Sequence, residues 1–136
     1  MKKLIFLTMS MAVFGTANAQ SNETKNTVKE NPVIIGNQRG FTVSKDDLAI
    51  DPVLHMPEEN KSYHITSYEI AYLPNGKGQD VQGPFQIKSD NIATGKAGEI
   101  LNKVQSGDRL FFENIIAVSD DKTKQPLKLT AALKIK

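Results

Sequence analysis

The most regular alternation of apolar and polar positions lies in "LKLTAALKIK", residues 127–136. One face holds Leu127, Leu129, Ala131, Leu133 and Ile135, and the other holds Lys128, Thr130, Ala132, Lys134 and Lys136. A period of two is typical of an antiparallel strand with one face in the core and the other in water. The pattern therefore predicts a half-buried strand whose solvated face carries lysines, which discourage pairing between sheet edges.

The segment before it, "RLFFENIIAV", is almost continuously apolar. A regular strand would place Leu110, Phe112 and Asn114 on one face, and Phe111, Glu113 and Ile115 on the other. Two interpretations fit: a central strand covered on both faces, or a strand with a bulge at residues 113–114. The polar segment "SDDKTKQP" that follows predicts a turn between the two strands.

A further strand is predicted in "KSYHITSYEIAYLPNG", which is rich in Tyr, Ile and Thr and ends in a turn signal. Tyr68, Ile70 and Tyr72 share one face, and Ser67, Glu69 and Ala71 share the other. Ile65 is out of phase with Tyr68, and a bulge at residues 66–67 would bring both into the core. After an exposed turn at "NGKGQD", the segment "VQGPFQIKS" is expected to return as an edge or kinked strand, because Gly83 and Pro84 interrupt it.

Two short helices are expected among the strands. In "SKDDLAIDP", Ser44 and Asp47 form a weak capping pattern, and Pro52 limits the helix to a couple of turns. Leu48 and either Val53 or Leu54 would anchor this helix to the core. In "GKAGEILNKVQSGD", the apolar residues Ile100, Leu101 and Val104 have helical spacing, and Gly107 offers a stop.

Short strands are also predicted at "PVIIG" and "GFTVS", which are apolar runs bounded by Pro or Gly. Strands joined by loops, with one or two short helical inserts, indicate an all-β fold, and a β-sandwich is the best fit.

Residues 1–19 have the pattern of a secretory signal peptide. Lys2 and Lys3 precede a short apolar run, which ends in the small-residue motif Ala17-Asn18-Ala19. A membrane-spanning helix needs about 20 apolar residues, and this run is shorter and interrupted by polar residues. We therefore expect cleavage between Ala19 and Gln20 and a mature chain that is periplasmic or secreted, without stable membrane insertion.

Loss of the signal peptide changes the charge balance. The whole chain has 17 Lys and Arg against 15 Asp and Glu, and without Lys2 and Lys3 the balance is 15 against 15. A near-neutral mature chain does not favour nucleic-acid binding. Residues 20–32 are polar with charges of both signs, which predicts a flexible leader before a folded unit at residues 33–136. The chain has no Cys, so its stability has to come from core packing.

The polar residues show no pattern that predicts a catalytic, cofactor or metal site. His55 and His64, with Glu58 and Glu59 between them, are spaced too widely for a zinc site. The acidic residues Asp46, Asp47 and Asp51 lack the order of a calcium loop and suit a helix N-terminus instead. The chain has no glycine-flanked nucleophilic Ser and no phosphate loop. The basic C-terminal residues are Lys122, Lys124, Lys128, Lys134 and Lys136. A solvated strand face explains them best, with phosphate or surface binding as the alternative.

Four segments together resemble the C-terminal domain family of the gliding-motility protein GldM. They are "GFTVSKDDLAIDPVL", "ITSYEIAYLPNG", "GEILNKVQSGDRLFFENIIAV" and "PLKLTAALKIK", and the resemblance covers residues 40–136. The element "GDRLFFENI" is the most specific of them. Tyr68 stands where the family has Phe, and Ser106 stands where it has Lys.

The resemblance implies an immunoglobulin-like β-sandwich in the periplasm of a Bacteroidetes-type bacterium. Domains of this family belong to the gliding and type IX secretion machinery and make protein–protein contacts without catalysis. Family members begin with a membrane helix and carry further periplasmic domains, whereas this chain is expected to have a cleavable signal and one domain. A role as a membrane-anchored energy transducer is therefore not expected.

These observations predict an exported, non-catalytic protein-interaction module with an unidentified protein partner and no cofactor. The gliding and type IX secretion machinery is its expected setting. The alternative is a small secreted ligand-binding or inhibitor domain, in which the loops "PNGKGQD" and "SDDKTKQP" at the ends of the sandwich carry the contact.

Overall fold

The computed structural model of the chain describes residues 30–76 and 78–136. The predicted signal peptide, the cleavage site between Ala19 and Gln20, and residues 20–29 of the predicted leader lie outside the described residues. The elements are β1 Thr42–Val43, α1 Lys45–Ile50, a 3₁₀ turn Glu58–Asn60, β2 Tyr63–Leu73, β3 Gln82–Ile87, α2 Gly95–Lys103, β4 Arg109–Ser119 and β5 Leu127–Ile135. None of the helices in the described part of the chain combines the length and the apolar character needed to cross a bilayer.

The five strands form one sheet in the order β1-β5-β4-β2-β3. The short strand β1 runs parallel to β5, and all other neighbours are antiparallel. The predicted β-rich fold with two short helices is thus confirmed. The immunoglobulin-like sandwich is not confirmed, because residues 30–76 and 78–136 contribute strands to a single sheet and the helices and loops cover its inner face.

The inner face of the sheet carries the core. Its largest fully buried side chains include Tyr68, Phe112 and Ile115 from the sheet, Leu48 from α1 and Ile100 from α2. The Tyr68 and Phe112 rings lie 5.7 Å apart between centroids at a tilted angle, an arrangement that aromatic pairs favour. The two helices therefore pack on the inner face of the sheet, and they leave its opposite face uncovered.

The start of α1 follows the capping pattern of the sequence. The Ser44 hydroxyl accepts a hydrogen bond from the backbone N–H of Asp47 at 3.0 Å, which satisfies one of the unpaired donors of the first turn. Leu48 is fully buried, and of the two candidate anchors after the helix it is Leu54 that enters the core. The predicted strand "PVIIG" forms only isolated bridges, from Ile34 to His55 and from Ile35 to Gln38.

Both central strands contain bulges, in β2 where the sequence predicts one and in β4 as one of its two interpretations has it. In β2 the register shifts between Ile65 and Ser67 and again before Glu69, and both Ile65 and Tyr68 are buried. In β4 the register to β5 shifts between Phe112 and Ile115, and Asn114 has a positive φ of 49°. Asn is among the residues that tolerate this left-handed conformation, so it suits the extra position of a bulge.

The strand β5 holds the two ends of the fold together. Its residues alternate as predicted, with Ala131, Leu133 and Ile135 buried. On the edge of β5 opposite β4, the Asn31 side chain makes the two hydrogen bonds that a neighbouring strand would make. Nδ2 of Asn31 donates to the carbonyl of Ala132 at 3.0 Å, and Oδ1 of Asn31 accepts from the N–H of Ala132 at 3.1 Å. Asn31 falls within the predicted leader, yet it is only 2% exposed, so the packed part of the chain includes it.

Candidate interaction surface

Both histidines line one depression of about 240 Å³, but each lies next to a different carboxylate. Nε2 of His55 lies 3.1 Å from both carboxylate oxygens of Asp51, and Nδ1 of His64 lies 3.6 Å from Asp120. Both imidazoles are largely exposed. Within residues 30–76 and 78–136, no three His, Asp or Glu side chains converge in a way that could hold a metal ion.

Asp108 is a buried carboxylate with all of its oxygens engaged, and it is 4% exposed. Its Oδ2 accepts from the Tyr72 hydroxyl at 2.7 Å and from the N–H of Gln105 at 2.8 Å, and its Oδ1 accepts from the N–H of Asn75 at 2.7 Å. Burial alone would raise the pKa of Asp108, but these hydrogen bonds favour the charged form and the net effect is a lowered pKa.

The side chain of Asp108 thus links the turn before β4 to the end of β2. The backbone carbonyl of Asp108 also accepts a hydrogen bond from the N–H of Ile135 in β5. Burial, the hydrogen bond to Asp108 and the nearby negative charge raise the pKa of Tyr72 to about 12. Both oxygens of the carboxylate thus accept hydrogen bonds from neighbouring elements of the fold, and the raised pKa of Tyr72 favours its protonated, donating form. The pair is therefore structural. In the sequence, the only indication of the Asp108–Tyr72 pair is that Asp108 follows Gly107 directly before an apolar strand.

The sheet face that no helix covers, called the outer face here, has an apolar row at its centre. Ala71 of β2, Phe111 of β4 and Ala132 of β5 are cross-strand neighbours in one line. Phe111 is half-buried and is the largest side chain of this row. The apolar row runs perpendicular to the strands.

The basic row lies two residues from the apolar row, towards the start of β4. Arg109 of β4 is directly opposite Lys134 of β5, and both are exposed. Two residues along in the other direction lies the acidic row, in which Glu69 of β2 is directly opposite Glu113 of β4. Cross-strand neighbours have Cβ atoms about 5 Å apart, and like charges in this arrangement destabilise a sheet.

Neither row is neutralised by its surroundings. Arg109, Lys134, Glu69 and Glu113 take part in none of the ion pairs formed within the described part of the chain. Elsewhere on the surface, residues of opposite charge form ion pairs, as Arg39 and Glu59 do at 2.9 Å. These four charged side chains therefore form no ion pair within residues 30–76 and 78–136, and the nearest further charge along β5 on this face is Lys128, which pairs across strands with Ile116 beyond the acidic row.

A shallow depression of about 270 Å³ lies at the junction of the basic and apolar rows. Its lining includes Phe41, Arg109, Phe111, Ala132 and Lys134. Phe41 is 42% exposed, which is unusual for a large aromatic side chain in a chain of this size. The depression offers an apolar floor with a cationic rim.

The two loops of the alternative hypothesis lie at opposite ends of the sheet. The loop "PNGKGQD" follows Leu73, which pairs with Arg109 at the start of β4, whereas "SDDKTKQP" follows Ser119, which pairs with Tyr63 at the start of β2. Strands of 11 residues separate them, which is about 33 Å or more. The loops therefore cannot form one contact surface together.

Sequence reasoning assigned Glu69 and Ala71 to one strand face and Ala132 and Lys134 to one face of β5, and the structure confirms these assignments. It missed that these residues meet across strands, because register is not encoded within a single strand. In comparisons with protein-family models, characterised proteins and solved structures, no match to this chain was found.

Proposed function

We propose that the protein is an exported, non-catalytic interaction module whose contact surface is the outer face of its sheet. The observation that carries this proposal is the arrangement of like-charged pairs on both sides of an apolar row. Such pairs reduce the stability of an isolated sheet, and a partner with complementary charges would remove this penalty. The apolar row would supply the desolvated centre that protein interfaces use.

The absence of catalysis is part of the proposal. Asp108 is the one acidic residue that is buried in the described part of the chain, and its hydrogen bonds leave no oxygen for a substrate. The depressions found on the described part of the surface are open, and the one that His55 and His64 line has a volume of only about 240 Å³. These features support binding through a surface and give no support to turnover in a cleft.

The setting in the gliding and type IX secretion machinery rests on the resemblance to the GldM C-terminal domain family, as does the immunoglobulin-like architecture. The antiparallel pairs formed by β2, β4 and β5, with their half-buried alternation, are compatible with that resemblance. In this setting the partner is another protein of the cell envelope.

The experiment is a capture of envelope proteins by the purified protein, with two surface variants for comparison. Phe111→Ser removes the centre of the outer face, and Ile50→Ser changes an apolar residue that is 80% exposed at the end of α1, away from that face. Wild type and Ile50→Ser are expected to retain the same proteins, and Phe111→Ser is expected to lose them. Thermal unfolding of each variant checks that the fold is intact.

Retention of the same proteins by a folded Phe111→Ser variant would place the contact elsewhere and contradict the proposal. If the retained proteins include components of the gliding or secretion apparatus, the setting is supported. If they include none, the setting is wrong although the interaction module stands.

A further inference from the structure

We propose that the basic end of the outer face binds an acidic segment of the partner, in which an aromatic side chain is next to an Asp or Glu. This inference rests on the proposed function, since it names the chemistry of the partner that the outer face would bind. It is drawn from the depression of about 270 Å³ that joins the basic row to the apolar row. The residues that line this depression in the described part of the chain are cationic, polar or apolar, and none is acidic.

The rim of the depression carries two cations to which the described part of the chain supplies no counter-ion. Arg109 and Lys134 are cross-strand neighbours, and neither takes part in an ion pair within residues 30–76 and 78–136. Like charges in this arrangement repel each other, and a carboxylate bound between them would relieve the repulsion. The guanidinium of Arg109 can also hold a carboxylate through two parallel N–H donors. The rim therefore favours an Asp or Glu side chain of the partner.

The surface beside the depression continues without an opposing charge. A second depression, of about 340 Å³, shares Arg109 with the first, and no Asp or Glu of the described residues lines it. The carboxylate of Asp108, one residue before Arg109, is buried and has both oxygens engaged within the fold. A bound segment of several residues can therefore cross this end of the sheet without contacting an acidic residue in either depression.

The floor of the depression provides an apolar contact for an anchor side chain. Phe41 is 42% exposed and is held beside Lys134, because the carbonyl of Phe41 accepts a hydrogen bond from the N–H of Lys134 at 2.8 Å. Phe111 of the apolar row also lines the depression and is half-buried. An aromatic anchor would gain tilted ring contacts with these two side chains and a cation–π contact with Arg109.

The size of the depression favours one side chain of a protein over a complete small molecule. Sites for small molecules have volumes of about 300–1,000 Å³ and enclose most of the ligand. This depression is open and lies below that range, at about 270 Å³. Protein interfaces, in contrast, commonly depend on a few anchors of which many are aromatic. An anionic lipid headgroup would use the two cations but would leave the apolar floor without a contact.

The direct test is nuclear magnetic resonance of the protein, purified after export, with synthetic peptides. The probe is a blocked peptide containing Asp-Phe-Asp, and the comparison peptide contains Asn-Phe-Asn. We expect the acidic peptide to shift the backbone amide signals of Arg109, Phe111, Ala132 and Lys134, with a dissociation constant on the order of 1 mM. The comparison peptide should bind about tenfold more weakly, and added salt should weaken the binding of the acidic peptide because it screens exposed charges.

Lys134→Glu is the informative variant. Glu at this position would pair with Arg109 across the strands, so one substitution neutralises both cations. The same pairing relieves the repulsion of the wild type, so the variant should keep its thermal midpoint. We expect its affinity for the acidic peptide to fall about tenfold or more. Lys122→Glu is the matched control, because it makes the same charge change in the exposed loop between β4 and β5, and it should bind like the wild type.

Shifts at the four named amides that are lost in Lys134→Glu and kept in Lys122→Glu support the inference. It is overturned if the acidic peptide causes no shifts at about ten times the expected dissociation constant, or if it shifts signals elsewhere on the surface. Equal binding by the wild type and Lys134→Glu also overturns it. Vesicles of phosphatidylcholine and phosphatidylglycerol test the lipid alternative: binding to them without peptide shifts would assign the two cations to a lipid surface.

Capture of envelope proteins separates this inference from the proposed function. If Phe111→Ser loses the captured proteins while Lys134→Glu retains them, the outer face is still the contact surface and the acidic character of the partner is wrong. If a folded Phe111→Ser variant retains them while the acidic peptide binds as expected, the proposed function is wrong and the binding site for the acidic segment remains.

Discussion

Replacement of Asp108 by Asn is expected to destabilise the fold although it changes only one atom of the side chain. The carboxylate accepts hydrogen bonds from the Tyr72 hydroxyl and from the N–H groups of Gln105 and Asn75, at 2.7–2.8 Å. An amide has one oxygen, so its best orientation keeps the two bonds at Oδ2 and turns an NH₂ group towards the N–H of Asn75. One hydrogen bond is lost, and the others lose the assistance of the charge.

Hydrogen bonds to charged groups contribute about 1.5–3 kcal/mol each, so we expect the free energy of unfolding to fall by about 2–4 kcal/mol at neutral pH. Urea unfolding followed by circular dichroism measures this difference. Asp108→Glu is the matched variant, because it keeps the charge but lengthens the side chain in a site that is 4% exposed. It reports the part of the loss that comes from geometry.

The effect should depend on pH in a defined direction. Because the pKa of Asp108 is lowered in the folded state, the unfolded state binds more protons between the two pKa values. The stability contributed by the carboxylate is therefore complete above the unfolded pKa of about 3.9 and is lost as the pH falls through the folded pKa. The gap between the wild type and Asp108→Asn should shrink in acid. A gap under about 0.5 kcal/mol at pH 7, or one that stays constant in acid, would refute this account of the site.

Three further predictions concern the core and the edge of the sheet. Phe112→Ala should lower the free energy of unfolding by about 3–5 kcal/mol through a core cavity, because Phe112 is fully buried, and an unchanged thermal midpoint would mean that β4 is misassigned. Asn31→Ala should cost about 1–3 kcal/mol and speed amide hydrogen exchange at Ala132, since both backbone groups of Ala132 lose their partner; unchanged exchange would exclude this pairing. In alkali, the wild type should lose stability relative to Tyr72→Phe from about pH 10 to about pH 12, because the raised pKa of Tyr72 makes ionisation costly in the folded state; parallel pH profiles would contradict it.

The features of the fold that could be predicted from the sequence are those set by residues close together in the chain. The phase break between Ile65 and Tyr68 predicts the bulge in β2, and the polar pair at residues 113–114 inside an apolar run left a bulge in β4 as one of two interpretations, which the register shift there bears out. The Ser44 cap depends on residues three positions apart, so it is visible within a single segment. Features of this kind are set by neighbours in the chain and need no knowledge of the sheet.

The features that matter for function depend on contacts between distant residues. The acidic row requires Glu69 to meet Glu113, and no pattern within either strand fixes that register. Asn31 looks like part of a polar leader, and only its pairing with Ala132, 101 residues later, shows that it is packed. The sandwich prediction has the same weakness, since alternation shows that a strand has one buried face but not whether a helix or a second sheet covers it.

The position of β5 between Asn31 and β1 on one side and β4 on the other has a kinetic consequence. The Asn31 side chain and the backbone carbonyl groups of Phe41 and Val43 have hydrogen-bond partners in residues 132–136. Contacts that close such long loops form late and slow the folding reaction. A truncation before residue 132 would therefore leave the Asn31 side chain and the backbone carbonyl groups of Phe41 and Val43 without these partners, so the unit is expected to fold only once residues 132–136 are available.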